Sequence, residues 1–153
     1  MKLSDILVRD AIVLEMSART KPEALAELAG ALCAAVPGVD RDELLAMLFE
    51  RERLGTTALG GGIAIPHARL ESVGRMLASF GRSPAGLDFD AVDGAPTRLF
   101  FVLVAPGKAG AAHLAALARL SLLLGSEAFR KQLEAARSPD ELLRAFAEEE
   151  ARH

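Results

Sequence analysis

Residues 99–105, LFFVLVA, form an unbroken apolar run that constrains the fold more than any other part of the sequence. A strand with one face in water alternates apolar and polar side chains, whereas a strand buried on both faces is apolar throughout. We therefore predict a strand over residues 97–106 at the centre of a sheet, with helices packed on both of its faces.

Strand and helix patterns are mixed along the rest of the chain, and no linker or repeat divides it. Further strands are predicted over residues 11–16, 63–65 and 75–82. Helices are predicted over residues 20–36, 40–53, 111–125, 126–136 and 138–150. This order predicts an α/β fold, with residues 1–153 forming a single domain in which helices flank both faces of a central mixed β-sheet.

Capping residues and apolar stripes predict where the helices begin and which faces they bury. Thr20 and Asp40 each stand three residues before a glutamate, and Ser138 precedes a proline that suits a first helical turn. Apolar residues at intervals of three and four predict the buried faces. They assign to the core Leu44, Leu45, Leu48 and Phe49 of one helix, and Leu114, Leu117, Leu120 and Leu124 of another.

Composition disfavours several functional classes. The net charge is −3 and the chain has no Trp or Tyr, so neither a basic patch nor an aromatic platform indicates a nucleic-acid partner. The single cysteine, Cys33, lies in an apolar run and is expected to be a small buried residue in a reducing compartment. The N-terminus lacks a signal-peptide pattern and no apolar stretch reaches membrane-spanning length, so we expect a cytoplasmic protein without membrane insertion.

The segment GTTALGGGIAIPHARL, residues 55–70, contains the clearest candidate site. His67 follows a predicted strand and Pro66, whose ring restricts the backbone at this point. His113 opens a helix, where free backbone amides favour an anion. Arg51 and Arg53 end the helix before the segment, and a guanidinium there suits phosphate oxygens. These residues suit an anion that is carried on, or passed through, a histidine.

Composition and spacing alone leave other interpretations open. Histidines in such places are often structural, and the glycine run lacks the Lys-Ser/Thr ending of a nucleotide-binding loop. A zinc site is the next alternative, with Glu71 or Asp93 as the third ligand beside the two histidines, although the sequence has no H-x-x-x-H pair. A serine hydrolase is disfavoured because no G-x-S-x-G occurs.

The stretch RERLGTTALGGGIAIPHARL, residues 51–70, closely resembles the active-site segment of enzyme IIA proteins of the phosphotransferase system. The likeness is to the fructose/mannitol-type class and its nitrogen-regulatory members. It extends over essentially the whole chain, because the opening strand and helix, the LFFVLVAP strand with its histidine helix, and the closing helices also fit that family.

The resemblance implies a role for each candidate residue. His67 would be the phosphorylated histidine, His113 the second active-site histidine, and Arg51 the arginine that helps to bind the phosphoryl group. Weaker candidates for phosphate binding or docking are Gly60, Gly61, Gly62, Thr56, Arg53 and Arg69. The chain departs from the family pattern in two of these, since Gly61 replaces a frequent Asn or Glu and Thr56 a frequent Ser. Neither change removes a group that phosphoryl transfer requires.

The resemblance also implies the partners. The donor would be an HPr-type phosphocarrier, charged through enzyme I from phosphoenolpyruvate, and no cofactor or metal would be needed. A nitrogen-regulatory member, whose phosphorylation state signals to regulatory targets, is favoured because the sequence shows no IIB or membrane domain. A separately encoded sugar-transport IIA that passes phosphate to a IIB domain is the alternative, and a module that only binds partners is a third.

Overall fold

The computed structural model describes residues 2–153, which form a mixed six-stranded sheet and six helices. In chain order the elements are α1 (Leu3–Ile6), β1 (Leu7–Val13), α2 (Lys21–Ala35), α3 (Arg41–Arg53), β2 (Ala58–Gly60), β3 (Ile63–Ala64), β4 (His67–Leu70), β5 (Leu77–Leu87), β6 (Thr97–Pro106), α4 (Gly110–Leu124), α5 (Glu127–Ala135) and α6 (Pro139–Ala151).

The strand β6 has the predicted bounds and lies inside the sheet. It pairs antiparallel with β5 along one side and parallel with β3 and then β4 along the other. The sheet order is β1-β5-β6-β3-β2, with β4 beside the second half of β6. The predicted α/β fold with a central mixed sheet is confirmed.

Alternate side chains of β6 belong to two separate hydrophobic cores. Phe101 and Leu103 pack with residues of α4, α5 and α6, whereas Phe100 and Val102 pack with residues of α2 and α3. The Phe101 ring centroid lies 5.0 Å from that of Phe80 and 5.2 Å from that of Phe146. The absence of polar residues from positions 99–105 of β6 is thereby explained, because both faces of this part of the strand are covered by helices.

The predicted capping residues begin their helices. The Thr20 hydroxyl accepts a hydrogen bond from the Glu23 amide at 3.3 Å, which satisfies one of the free amides of the first turn of α2. The Asp40 carboxylate does the same for α3 at 3.1 Å, and the Ser138 hydroxyl for α6 at 3.1 Å. The sequence therefore predicts these helix starts to the residue.

Strand ends differ from the prediction where pairing, rather than periodicity, determines them. β1 spans residues 7–13 instead of 11–16, because these are the residues that pair with β5. β5 continues past the predicted end at Arg82 to Leu87, which still pairs with Thr97 of β6. The strands β2 and β4 were not predicted, since three or four residues are too few to show an alternating pattern.

The predicted burial of two helix residues is wrong. Phe49 is 40% exposed and Leu114 is 64% exposed. The buried face of α3 instead follows Leu44, Leu48 and Glu52, one residue every turn. The buried face of α4 follows His113, Ala116 and Leu120, so the stripe is rotated by one position and Leu114 faces outwards. Cys33, expected to be buried, is only partly buried beside the α2–α3 core.

Both ends of the chain meet at one buried carboxylate. Glu150 of α6 accepts hydrogen bonds from the backbone amides of Leu3 at 2.7 Å and Ser4 at 2.8 Å, which begin α1. The same carboxylate accepts one from Arg119 Nε at 3.1 Å, and Arg119 lies on α4. The helix that carries His113 is therefore tied to both termini.

Among residues 2–153, no helix is long and apolar enough to cross a membrane.

The double burial of β6 predicts where stability is concentrated. We expect Phe101→Ala to lower the free energy of unfolding by about 3–5 kcal/mol, because it leaves a cavity between β5 and α6. The matched change Phe49→Ala on the exposed face of α3 should cost about 0.5 kcal/mol. Urea unfolding followed by circular dichroism measures both, and equal losses would contradict this assignment of the core.

Candidate functional site

His67 is the first residue of β4, directly after the break that Pro66 makes between β3 and β4. The Pro66 carbonyl accepts a hydrogen bond from the Leu103 amide of β6 at 3.0 Å, which fixes this part of the backbone to the sheet. The His67 Nδ1 atom lies 2.9 Å from the Ile65 carbonyl oxygen. Because a carbonyl oxygen only accepts, Nδ1 must carry the proton, and Nε2 is left with its lone pair free of a proton.

Arg51 approaches this unprotonated nitrogen from the last turn of α3. Its Nε donates a hydrogen bond to His67 Nε2 at 3.2 Å, and its Nη1 donates to the Gly55 carbonyl at 2.9 Å. The second bond ties the guanidinium to the turn that follows α3. Arg51, a candidate phosphate-binding residue from the sequence, thus contacts His67 directly.

His113 lies in the first turn of α4, and its ring centroid is 5.3 Å from that of His67, with the two planes nearly perpendicular. Arg69 Nε donates to His113 Nδ1 at 3.3 Å, which assigns the proton of a neutral ring to Nε2. That Nε2 atom is buried and has no hydrogen-bond partner. The structure thus brings together His67, His113, Arg51 and Arg69.

Both rings are held neutral near pH 7. Burial lowers the pKa of His67, and the cations Arg51 and Arg69 lower it further, against the opposing influence of the Ile65 carbonyl and the Glu52 carboxylate. Burial, followed by the nearby His67 and Arg69, lowers the pKa of His113 to about 4. A neutral imidazole with an unprotonated Nε2 is a nucleophile that needs no prior loss of a proton.

The two histidines open into a cavity of about 340 Å³ whose rim is apolar. Exposed side chains of Met47 and Leu54 stand on one side, and exposed Leu114 and partly buried Leu117 on the other. The sequence did not indicate these as site residues, and it placed Leu114 in the core. The sequence signal that could have indicated them was the nearly uncharged outer face of α4. The outer face of a helix that contacts only solvent is usually polar or charged.

The weaker candidates other than Arg69 do not line this cavity. Arg53 is exposed and pairs with Glu50 on its own helix. The Thr56 hydroxyl donates to the Phe89 carbonyl at 2.8 Å and accepts from the Ala58 amide at 3.1 Å, so it fixes the loop backbone. The glycines form the tight turn between β2 and β3, all with positive φ: Gly60, Gly61 and Gly62.

A third metal ligand is not found beside the histidines. In the described part of the chain, no three His, Cys, Asp or Glu side chains are placed to hold a metal ion. Asp93, one of the two carboxylates considered for zinc, instead accepts the amides of Gly61 and Ala95 in the hairpin region. Glu71, the other, does not line the cavity.

Comparisons with known proteins identify the family of the chain. The family model described as "Phosphoenolpyruvate-dependent sugar phosphotransferase system, EIIA 2" matches residues 5–149. A nitrogen regulatory protein of Bradyrhizobium diazoefficiens is 38% identical over 147 residues, which are 96% of this chain and 95% of that protein. A fructose-specific EIIA component of the phosphotransferase system from Haloferax volcanii is 38% identical over 146 residues, covering 95% of each.

A solved structure supports the same assignment. The nitrogen regulatory protein IIA-Ntr from Neisseria meningitidis superimposes with a TM-score of 0.87 at 32% identity, over 94% of this chain and 98% of that one. The fold is therefore that of an enzyme IIA. The chain belongs to the EIIA 2 family of the phosphoenolpyruvate-dependent sugar phosphotransferase system, and the resemblance found in the sequence is confirmed.

The lowered pKa of His113 predicts a pH-dependent stability. An unfolded chain protonates this ring near its ordinary pKa of 6.5, whereas the native ring does so near 4, so the unfolded state binds more protons between these values. Native stability therefore falls as the pH drops from 6.5 towards 4. We expect His113→Gln to lose less stability than the wild type over this interval, by up to about 3 kcal/mol.

Urea unfolding at several pH values measures this difference. Phe49→Ala, which removes an exposed side chain of α3 and no titratable group, is the control, and its pH dependence should parallel that of the wild type. Parallel curves for the wild type and His113→Gln would contradict the lowered pKa.

Proposed function

We propose that the protein is a phosphocarrier that accepts a phosphoryl group on His67 Nε2 from an HPr-type carrier, itself charged through enzyme I from phosphoenolpyruvate. One observation carries the proposal. The Ile65 carbonyl holds the proton of His67 on Nδ1, so the unprotonated Nε2 faces Arg51 in a cavity that also contains His113.

The proposed reaction is an in-line transfer between two imidazoles. The bond from His67 Nε2 to phosphorus forms as the bond from phosphorus to the carrier's histidine nitrogen breaks, and the electron pair of the broken bond returns to that nitrogen. No base is required, because Nε2 carries no proton. Transfer between two similar nitrogens is nearly balanced in energy, so the protein contributes mainly positioning and charge.

Arg51 and His113 supply that charge and a hydrogen bond. In the resting site Arg51 Nε donates to the lone pair that attacks phosphorus. A phosphoryl group that enters between them offers its oxygens to the same guanidinium, which suits a two-point contact. The buried His113 Nε2–H has no partner, and a phosphoryl oxygen is an acceptor that would satisfy it.

The apolar rim of the cavity suits the docking of a carrier. Met47, Leu54 and Leu114 surround the histidines with exposed apolar surface. Covering this surface by a partner removes water from the reacting groups, which strengthens the contacts of Arg51 with the phosphoryl oxygens and keeps water from the phosphorus.

For the output, we favour regulation through the phosphorylation state of His67. The Bradyrhizobium and Neisseria relatives, each matched over nearly its whole length, are named as nitrogen regulatory proteins. The Haloferax relative, equally similar, is named as a fructose-specific EIIA component. This supports transfer to a fructose/mannitol-type IIB domain as the second candidate function.

Phosphorylation by the purified carriers tests the proposal. After incubation with phosphoenolpyruvate, enzyme I and an HPr-type carrier, we expect the intact mass of the wild type to rise by one acid-labile phosphoryl group. His67→Ala should show none, while His153→Ala should match the wild type. A folded wild type that accepts no phosphate from several carriers would contradict the proposal and indicate a module that only binds partners.

Single-turnover kinetics test the roles of Arg51 and His113. We expect Arg51→Gln to slow the transfer step about 100-fold, because it removes a charged donor to the phosphoryl oxygens. His113→Ala should slow transfer and retain the acceptor, so that a full phosphoryl group is still reached. Arg53→Gln is the matched control, and it should alter at most the dependence on carrier concentration. Unchanged transfer in His113→Ala would refute the role of that residue.

A further inference from the structure

Directly beside Arg51 on α3, the Glu52 side chain points into the protein rather than into the cavity. Its carboxylate is buried, although the segment FERER, in which it lies, is typical of a solvent-facing helix end. Its Oε1 accepts a hydrogen bond from the Thr57 amide at 3.1 Å and forms a salt bridge with Lys21 Nζ at 3.0 Å. Its Oε2 accepts from the Thr57 hydroxyl. Both donors of Thr57 are therefore bound by one carboxylate.

A continuous chain of hydrogen bonds leads from this carboxylate to His67. Thr57 is buried, and its carbonyl accepts from the Ile65 amide at 3.1 Å. The Ile65 carbonyl is in turn the acceptor for His67 Nδ1 at 2.9 Å. The position of the group that selects the His67 tautomer thus depends on where Glu52 holds Thr57.

The same turn of α3 reaches the opposite side of the ring. Arg51 Nε donates to His67 Nε2, and Arg51 Nη1 holds the Gly55 carbonyl within the turn that connects α3 to Thr57. The Gly55 amide donates to the Glu52 carbonyl at 3.1 Å. Two consecutive residues, one exposed to the cavity and one buried beneath it, therefore control both nitrogens of the imidazole.

Lys21 offsets the free-energy cost of burying the Glu52 charge. A buried carboxylate without a cation is costly, and Lys21 supplies the cation from the first residue of α2. The ammonium group also lies 4.7 Å from the centroid of the Phe89 ring and 3.4 Å from Asp90. These contacts fix Glu52 at a single place between α2 and the 54–57 turn.

We infer that Glu52 is a positioning residue for phosphoryl transfer, acting through Thr57 and Ile65 to keep the proton of His67 on Nδ1 and Nε2 free to attack. The inference rests on the proposed function for its catalytic consequence. Its structural half, the control of the His67 tautomer, holds in the unphosphorylated protein and is measured without any carrier. Glu52 touches no reacting atom.

Nitrogen NMR of the histidine rings provides the first test. The wild type at pH 8 should show His67 as the single Nδ1–H tautomer. In Glu52→Gln the side chain loses its charge, its salt bridge with Lys21 and one of the two oxygens that accept from Thr57. Thr57 is then held less firmly, and the spectrum should shift to a mixture of the two tautomers. His67 is surrounded by Arg51, Arg69, His113 and Glu52, and Glu50 lines the same cavity. The pKa of His67 should also fall, because the Glu52 negative charge that raises it is removed.

Glu150→Gln is the matched control. Glu150 is buried to a similar degree and, like Glu52, has two hydrogen-bond donors and one cation as partners, the donors being two backbone amides at the start of α1. This variant should lose stability and keep the wild-type tautomer and pKa of His67. A merely structural role for Glu52 predicts the same behaviour for both variants.

Transfer kinetics provide the second test. Glu52→Gln should slow the first-order transfer step about tenfold, as the loss of a carboxylate that orients a functional histidine does elsewhere. The carrier concentration at half-maximal rate should stay unchanged, because Glu52 is not at the docking rim. If no variant or wild type accepts phosphate, the proposed function fails, while the tautomer measurement still decides the positioning role.

Thr57→Val keeps the inference testable if Glu52→Gln does not fold. It removes the hydroxyl contact and retains the amide contact with Glu52, and it should produce a smaller shift in the same direction. A wild type with the proton on Nε2 would overturn the inference. An unchanged Nδ1–H tautomer and pKa in the folded variants would also overturn it.

Discussion

The burial of β6 on both faces is the constraint on which the rest of the structure depends. It requires one helical layer formed by α2 and α3 and another formed by α4 to α6. It also requires that both sides of β6 be paired, and β4 provides part of that pairing, with His67 opposite Leu103. The nucleophile candidate is therefore attached to the most deeply buried strand, which gives its ring a rigid base, while α3 and α4 contribute Arg51 and His113 from opposite layers.

The site combines two neutral imidazoles with two guanidinium groups. Each arginine donates to one ring, Arg51 to His67 and Arg69 to His113. Burial and the nearby cations lower the pKa of both rings, so the positive charge in the cavity is carried by guanidinium groups that stay charged near neutral pH. In the proposed transfer, the incoming phosphoryl group would meet fixed cations and hydrogen-bond donors, and His67 Nε2 would need no deprotonation. This arrangement suits the proposed exchange between two imidazoles, whose energies are nearly balanced.

The sequence predicts the parts of this molecule that have strong local signatures. The centre of the sheet follows from the apolar run in β6, and the helix starts follow from capping side chains such as Thr20 and Ser138. The histidines stood out because the chain has only three, whereas Arg51 was distinguished from Arg53 only by the resemblance to the enzyme IIA family. Leu114 was misassigned because a stripe of leucines on a nearly uncharged helix does not reveal which side faces the sheet. Glu52 was missed because its neighbours are charged, and only the fold shows that it turns inwards.

The hydrogen bonds between Glu150 and the first turn of α1 have a consequence for the topology of the chain. Because the amides of Leu3 and Ser4 and the carboxylate of Glu150 are in direct contact, the polypeptide closes almost into a ring. Such a chain suits circular permutation, in which a short linker joins the old ends and new ends are opened in a surface loop. Residues 92–96 of the connection between β5 and β6 are exposed and do not line the cavity of the histidines. A chain reopened there would have a new order of elements, while Arg119 would still hold α4 to Glu150.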